Sequence, residues 1–415
     1  MTRPLRLLVD ARFTRLDHPD GISRFTAGLV GALARRPDRV RVAMLVRDER
    51  QLALLPDVPH VMGPSPLRPT EAFVAFRLRR LAPDVVFCPM QTMGSWGRRY
   101  GLVLTLHDLI YYAHPTPPGF LPAPVRLAWR LFHRAYWPQR VLLDRADVVA
   151  TVSATTRELM ARHRLTRRPV AVVGNAPTPG AFDAVPVPAP LAPRPGGRLV
   201  YMGAFAAYKN VETLVAAMAH LPGHELRLLS RVDPRRRAQL AALAARVAPG
   251  AAVTFVDGVN DEEYAAELDV ATALLTLSRA EGYGLPLVEA MGRGVPVVAA
   301  DTPIFREVAG DAATYVPADD PVACARAVRD LGDPAVWRDA SDRALARAAA
   351  FSWDASAAAL LDVADGIVRA REAGSAAEDP AGSPSGRLQS RAPRDPGPTL
   401  GRRIRSRPLR SPSRR

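Results

Sequence analysis

The stretch Ser278-Arg279-Ala280-Glu281-Gly282-Tyr283-Gly284-Leu285-Pro286-Leu287-Val288-Glu289-Ala290-Met291-Gly292-Arg293-Gly294-Val295-Pro296-Val297-Val298 decides how the chain is read. Leu274 to Leu277 before it and Val295 to Ala300 after it are short apolar runs, so the order is strand, loop, helix, strand, a right-handed βαβ crossover. Such a loop sits at the carboxyl edge of a parallel sheet, where open α/β folds bind ligands. Gly282 and Gly284 let the backbone approach a bound group closely. Pro286 suits a first helical turn, and a helix amino end facing a crevice is a ready phosphate site. Glu281 lies on the loop and Glu289 about one turn into the helix, so the two carboxylates address different parts of one extended ligand.

Carboxylates beside a phosphate site make sense if they accept hydrogen bonds from hydroxyl groups further along the same molecule. A nucleotide sugar has them, ribose on one side of its diphosphate and hexose on the other. Glu281 and Glu289, with seven residues between them, stand in the setting Ser-x-x-Glu-Gly-x-Gly-Leu-Pro-x-x-Glu-Ala-Met-x-x-Gly-x-Pro-Val. This resembles the signature of glycosyltransferase family 4, the retaining enzymes of GT-B fold. The resemblance runs from residue 3 to about 371 and is strongest over 198 to 316. It implies an α/β chain of two Rossmann-like doubly wound domains facing a central cleft, with a C-terminal helix that crosses back to the first domain.

At 415 residues the chain exceeds one usual core, and 48% hydrophobic residues are ample for two. No apolar run reaches the roughly 18 residues of a membrane span, and Met1 to Asp10 is too short for a signal peptide, which points to the cytoplasm. Cys88 and Cys324, far apart among apolar or small neighbours, read as buried reduced thiols. The net charge of +15 divides unevenly: residues 372–415 hold ten Arg and four acids, a contribution of +6 that leaves +9 for the rest. A basic body fits phosphate-bearing ligands, an anionic membrane surface or nucleic acid.

Five segments are expected. Residues 1–176 form an acceptor-side Rossmann-like domain, and 177–197, dense in proline, a connector. Residues 198–350 form the nucleotide-sugar domain, 351–371 the returning helix anchored by Trp353, and 372–415 a disordered basic tail. In the first domain, strands are expected at 6–10, 40–46, 84–88, 102–106, 148–152 and 170–173, and helices at 22–35, 70–81 and 124–145. In the helix over 124–145, Arg126, Arg130 and Arg134 form a stripe beside Trp129, Phe132 and Tyr136. The aromatics there are read as domain core, with seating on an anionic bilayer as the alternative. Ser153 reads as a helix N-cap.

His107 follows the strand 102–106, and the resemblance implies that it reaches the donor sugar or the reacting centre, with Asp108 orienting its ring. Gly21 opens a helix and resembles the glycine of the family's first loop, where donor diphosphate and acceptor meet. Gly203, followed six positions later by Lys209 just before a helix, gives a diphosphate clamp of backbone N–H groups and an ammonium. Many members carry arginine where this chain has Ala204, and Arg231, Arg279 and Arg24 are the candidates to supply the missing charge. The amides of Gly282, Tyr283, Gly284 and Leu285 would share the diphosphate, Glu281 would hold the hexose hydroxyls and Glu289 the ribose.

Walker and dinucleotide fingerprints are absent, and no Asp-x-Asp pair stands beside the diphosphate, so neither a metal nor a further cofactor is expected. The partners expected are a nucleotide-sugar donor and a glycan or lipid-linked acceptor, with mannose from GDP-mannose implied by the resemblance. A nucleotide-sugar epimerase or hydrolase of the same fold is the alternative enzyme. Nucleic-acid binding through the basic tail is the non-enzymatic one.

Overall fold

The structure is a computed structural model that describes residues 3–16, 20–117, 122–178, 180, 182 and 197–377. Residues 1–372 form one compact unit that holds two parallel sheets. The first runs in the order β3-β2-β1-β4-β5-β6-β7, with β1 Leu5–Asp10, β2 Val40–Val46, β3 His60–Met62, β4 Val85–Cys88, β5 Gly101–Leu106, β6 Val148–Thr151 and β7 Val170–Val172. The second runs β10-β9-β8-β11-β12-β13, with β8 Arg198–Tyr201, β9 Glu225–Leu228, β10 Ala252–Phe255, β11 Ala271–Thr276, β12 Val297–Ala300 and β13 Ala313–Val316.

All ladders are parallel, and the central strands are continuous apolar runs because helices cover both faces. In each sheet the strand order reverses beside its first strand, between β1 and β4 and between β8 and β11. The loops leaving those carboxyl ends diverge there and open a crevice.

The N-terminal sheet packs on its two faces against different partners. One face, with Leu7, Val9, Phe87 and Val103, meets the helix Gly21–Ala34 and the long helix Trp353–Ala377. The other, with Leu8, Val86, Leu102 and Leu104, meets Val74, Leu78, Met93, Leu143 and Met160. The helix that begins at Trp353 therefore belongs in space to the first domain although it follows the second in sequence. Its indole Nε1 donates to the Pro177 carbonyl at 2.7 Å, and Arg39 pairs with Asp365 at 2.9 Å.

Several expectations change. The helix expected over 70–81 is a 3-10 turn Pro69–Phe73, an α-helix Val74–Leu78 and a second 3-10 turn Arg79–Leu81, ended by Ala82 at φ 45°. The segment 124–145 divides into helices Ala123–Phe132 and Trp137–Leu143, with Pro138 in the first turn of the second. Of its aromatics Tyr136 packs against the core, beside Tyr112, whereas Trp129 and Phe132 do not, since no residue of Ala123–Phe132 is buried. The sheet face beneath is already filled by Leu109, Leu143, Ala146 and Met160, which leaves that helix outside the packed layer. The returning helix extends to Ala377, beyond the expected end at 371. Most of the connector over 177–197 and the tail from 378 onward lie outside the described residues.

Candidate active site

The two crevices open on one cleft of about 670 Å³, within the size range of small-molecule sites. Gly21, Arg24 and His107 reach it from the N-terminal lobe. Gly203, Lys209, Glu281, Gly284, Leu285 and Glu289 reach it from the C-terminal lobe, on the loops that leave β8 and β11 and on the helix Leu285–Gly292. The loop-helix turn forms because Gly284 takes φ 98°, which a side chain disfavours, and Pro286 then fits the first helical turn. Among the described residues, the N–H groups of Gly282, Tyr283, Gly284 and Leu285 have no protein acceptor, Pro286 carries no N–H, and Leu287 N donates back to the Gly284 carbonyl at 2.9 Å. The helix amino end thus presents a set of unused donors to the cleft.

Two ion pairs line it. Lys209 Nζ donates to Glu281 Oε1 at 2.6 Å, both side chains largely buried. Arg24 crosses from the other lobe, donating to Glu289 Oε1 at 3.1 Å and to Thr178 Oγ1 at 3.3 Å, and it also pairs with Asp261. Thr178 Oγ1 in turn donates to Glu289 Oε1 at 3.1 Å. Burial drives the Glu289 carboxyl above its ordinary range, and the Arg24 charge pulls it back. Each acid of the pair spaced by seven residues is therefore matched to one cation.

His107 Nε2 lies 2.8 Å from the Pro89 carbonyl, which requires that nitrogen to carry the proton and leaves Nδ1 as an acceptor. Burial lowers the imidazole below its ordinary value. The expected orienting role of Asp108 is not found: its carboxylate accepts from Ile110 N at 2.9 Å and makes no hydrogen bond to His107. The Pro89 carbonyl does that work. Gly282 sits against this pair, for a Cβ there would lie 3.0 Å from Asp108 Cβ and 3.1 Å from the His107 carbonyl. Gly21 faces Leu285, whose Cδ1 is 3.9 Å from where its Cβ would stand.

The Gly203 N–H donates to Ser230 Oγ at 3.0 Å, so the donor expected for a diphosphate is engaged within the protein. The Tyr283 side chain is likewise engaged within the protein, its hydroxyl donating to the Asn175 carbonyl at 2.9 Å while its ring packs against both hydrophobic cores. Of the three arginines considered for the charge missing at Ala204, Arg279 is held by Asp319 and Arg231 packs on Gly258. Arg24 alone of the three lines the cleft. One contact escaped the sequence reading. Glu307 accepts from Ala154 N and Thr155 N at 2.6 Å each and from Thr155 Oγ1 at 2.5 Å, capping a first-lobe helix from the second lobe. Ser153 caps the same helix at Thr156 N, 3.1 Å.

Two parallel doubly wound sheets around a cleft of this kind define the GT-B fold. The profile of Glycosyltransferase Family 4 matches residues 19–176, and that of Glycosyl transferases group 1 matches 191–334. The chain belongs to glycosyltransferase family 4 and is a transferase.

It is 29% identical over 266 residues to the O-antigen chain mannosyltransferase B of Escherichia coli, covering 61% of this chain and 67% of that protein. It is 29% identical over 292 residues to the D-inositol 3-phosphate glycosyltransferase of Nocardia farcinica, covering 65% and 62%. Against a D-inositol 3-phosphate glycosyltransferase of Streptomyces avermitilis the match spans only 27% of that protein. In fold it is similar to sucrose-phosphate synthase from Thermosynechococcus elongatus, with TM-score 0.64, 21% identity and 88% of this chain and 100% of that one covered. Anabaena Alr3699/HepE in complex with UDP-glucose superposes with TM-score 0.63 at 16% identity over 89% and 100%.

Proposed function

We propose that the protein transfers a hexose from a nucleotide sugar to a hydroxyl of a cell-envelope glycan or glycolipid, with retention at the anomeric carbon, and that the donor is GDP-mannose. The observation that carries the reading is the Lys209–Glu281 pair, 2.6 Å apart beside the unused amides of Gly282 to Gly284 at a helix amino end. Cation, carboxylate and donors line one cleft. That is the composition needed to hold a diphosphate and the hydroxyls of the sugar it carries.

In the reaction the bond from the anomeric carbon to the diphosphate oxygen breaks, and a bond from that carbon to the acceptor oxygen forms on the same face. The leaving diphosphate gains negative charge as the sugar becomes oxocarbenium-like. Lys209 and the loop amides, which line the cleft, would stabilise the negative charge as it develops. The acceptor proton passes to the departing phosphate oxygen, so no dedicated general base is required. Glu281 holds hexose hydroxyls, Glu289 the ribose, and the bare Nδ1 of His107 accepts from a hexose hydroxyl on the opposite wall. These protein cations supply the positive charge, and we propose turnover without a metal. Closure of the lobes excludes water and protects the donor from hydrolysis.

Similarity to a mannosyltransferase supports mannose as the sugar, while a fold neighbour crystallised with UDP-glucose makes uridine donors the first comparison. The test is a panel of GDP- and UDP-sugars incubated with the purified protein and an oligosaccharide or polyprenyl-linked acceptor, in buffer with and without a chelator. Nucleoside diphosphate release and the anomeric configuration by NMR are read. Release from GDP-mannose, an α-linked product and indifference to chelator are expected. Inversion, or release only without acceptor, rejects the mechanism.

A further inference from the structure

A lysine ammonium is a point charge on a flexible four-carbon stem, so its place in a site is decided by the backbone beneath it. Lys209 Nζ meets Glu281 Oε1 at 2.6 Å and stands 5.5 Å from the centre of the Tyr208 ring, with the two ion-paired side chains only 16% and 12% exposed. The next residue, Asn210, has φ 55° and ψ 40°, a left-handed conformation that asparagine tolerates better than most side chains. Asn210 directly precedes the helix Val211–Ala217, where an asparagine ordinarily accepts from a helical N–H, yet its side chain caps no helical amide.

The carboxamide is turned to other loops instead. Its Nδ2 donates to the Leu277 carbonyl at 3.1 Å, where β11 leads into the Glu281 loop, and to the Ala318 carbonyl at 2.6 Å, just past β13. Its Oδ1 accepts from Thr213 Oγ1 at 2.9 Å. One side chain thus joins the loops that leave β8, β11 and β13. A return set of bonds runs from the Glu281 loop to the far side of Lys209. Arg279 N donates to the Tyr208 carbonyl at 2.8 Å and Arg279 Nη1 to the Ala207 carbonyl at 3.1 Å, while Arg279 Nε is held by Asp319 at 3.0 Å. Lys209 is therefore fastened on both sides, through Asn210 and through Ala207 and Tyr208, to the loop that carries Glu281.

Tyr208, Lys209 and Glu281 line the cleft, whereas Asn210 is 1% exposed and stands outside it. We propose that Asn210, with Arg279 on the opposite flank, is a positioning residue for the transfer: by tying the backbone under Lys209 to the loop of Glu281, the two fix the ammonium where the diphosphate departs. That role rests on the transferase reading, in which Lys209 stabilises the leaving group, and it belongs to side chains that act through the lysine. An asparagine that only holds the fold together would lower stability and leave the lysine's contribution intact. A positioning asparagine loses its effect on turnover once the lysine is gone.

The test is a double-mutant cycle on the full-length protein, read as nucleoside diphosphate release from GDP-mannose and from UDP-glucose, at a temperature below every variant's thermal midpoint. Lys209→Ala removes the ammonium. Asn210→Gly keeps the left-handed backbone, which glycine adopts freely, and deletes only the carboxamide. Asn210→Gly is expected to lower kcat by roughly tenfold to a hundredfold with donor KM within a few-fold, and to cost nothing further in the Lys209→Ala protein. Arg279→Met, at a half-exposed position, removes the bond to the Ala207 carbonyl without opening the core, and decides the matter if Asn210→Gly does not fold. Its smaller loss in kcat, roughly threefold to tenfold, should likewise vanish without the lysine. Parent-level kcat in folded Asn210→Gly overturns the proposal, and so do losses that add to that of Lys209→Ala, since either leaves the asparagine a structural residue. Additive losses beside an impaired Lys209→Ala reject the positioning role alone. Parent-level release by Lys209→Ala rejects the lysine's part in the transfer and the positioning role with it.

Discussion

Arg24 and Glu289 stand 3.1 Å apart across the cleft, the arginine from the first lobe and the acid from the second. Glu289 is 1% exposed, and a buried carboxylate without a cation would take up a proton. An incoming nucleotide sugar offers phosphate to the arginine and ribose hydroxyls to the acid, so both groups exchange partners and neither is abandoned. On this reading Arg24 supplies the charge missing at Ala204. Arg24→Gln is predicted to weaken nucleoside diphosphate binding by roughly tenfold to a hundredfold, the equivalent of about 1.5–3 kcal/mol for a hydrogen bond to a charged group. Ala204 is exposed, and adding Ala204→Arg to that variant should restore most of the affinity in calorimetry. Unaltered binding by Arg24→Gln would refute the exchange.

Glu281 is placed to act in turnover more than in affinity, since its carboxylate meets Lys209 directly and the sugar only in the complex. Glu281→Gln keeps the shape and removes the charge that favours an oxocarbenium-like sugar. The expected loss is about a hundredfold to a thousandfold in kcat with donor KM within a few-fold, measured by steady-state kinetics. A variant that raises KM alone would reassign Glu281 to binding.

The cap that Glu307 places on Ala154 and Thr155 joins the two lobes through a charged acceptor and three donors. Glu307→Ala leaves a helix amino end unpaired at the interlobe seam. A loss of about 1–2 kcal/mol is expected in denaturant unfolding, as for other removed caps. Thr155→Ser keeps the hydroxyl and should be near neutral. Equal losses in both would indicate that the hydrogen bonds carry none of it.

Gly28 marks where the returning helix must fit, since a Cβ there would lie 2.2 Å from Trp353 Cε2. A ring cannot yield that distance without moving its helix. Gly28→Ala should therefore destabilise by about 1–3 kcal/mol, the usual cost of overpacking, and lower the thermal midpoint. Combining it with Trp353→Leu should recover part of the loss, and a neutral Gly28→Ala would show that the helix is not held there.

The fold was legible because parallel strands buried on both faces leave continuous apolar runs, and Val85–Cys88 or Ala271–Thr276 can hardly be anything else. The loop around Glu281 was legible for a different reason: its glycines and Pro286 each answer a backbone demand. What stayed hidden was pairing across the lobes. Nothing local to Arg24 points to Glu289, 265 positions away, and nothing local to Glu307 points to Thr155. Asp108 misled because adjacency to His107 in sequence does not aim a carboxylate at the ring, and its oxygen closes a turn on Ile110 instead. The helix at 123–132 misled because its periodic aromatics would look the same whether they faced a core or an interface.

His107 gives the pH dependence. Burial lowers its pKa below the ordinary 6.5, so at neutral pH the ring is uncharged and Nδ1 can accept. Below pH 6.5 the unfolded chain binds a proton at this position before the folded one does. The stability associated with the neutral buried ring is thus complete above 6.5 and is lost as pH falls through the lowered folded value. Catalysis should follow the same window, with the acid limb of kcat/KM lying below pH 6.5. Asp108 and Glu289, both raised above ordinary carboxyl values by burial, also titrate on that side, so the wild-type profile alone does not single out the histidine. His107→Gln should cost roughly tenfold in kcat, about the worth of one hydrogen bond, and shift the limb to the position set by the two carboxyls. A limb at or above 6.5 in the wild type, or one unmoved by His107→Gln, would remove the imidazole from the reacting centre and leave it a wall of the cleft packed on Phe25.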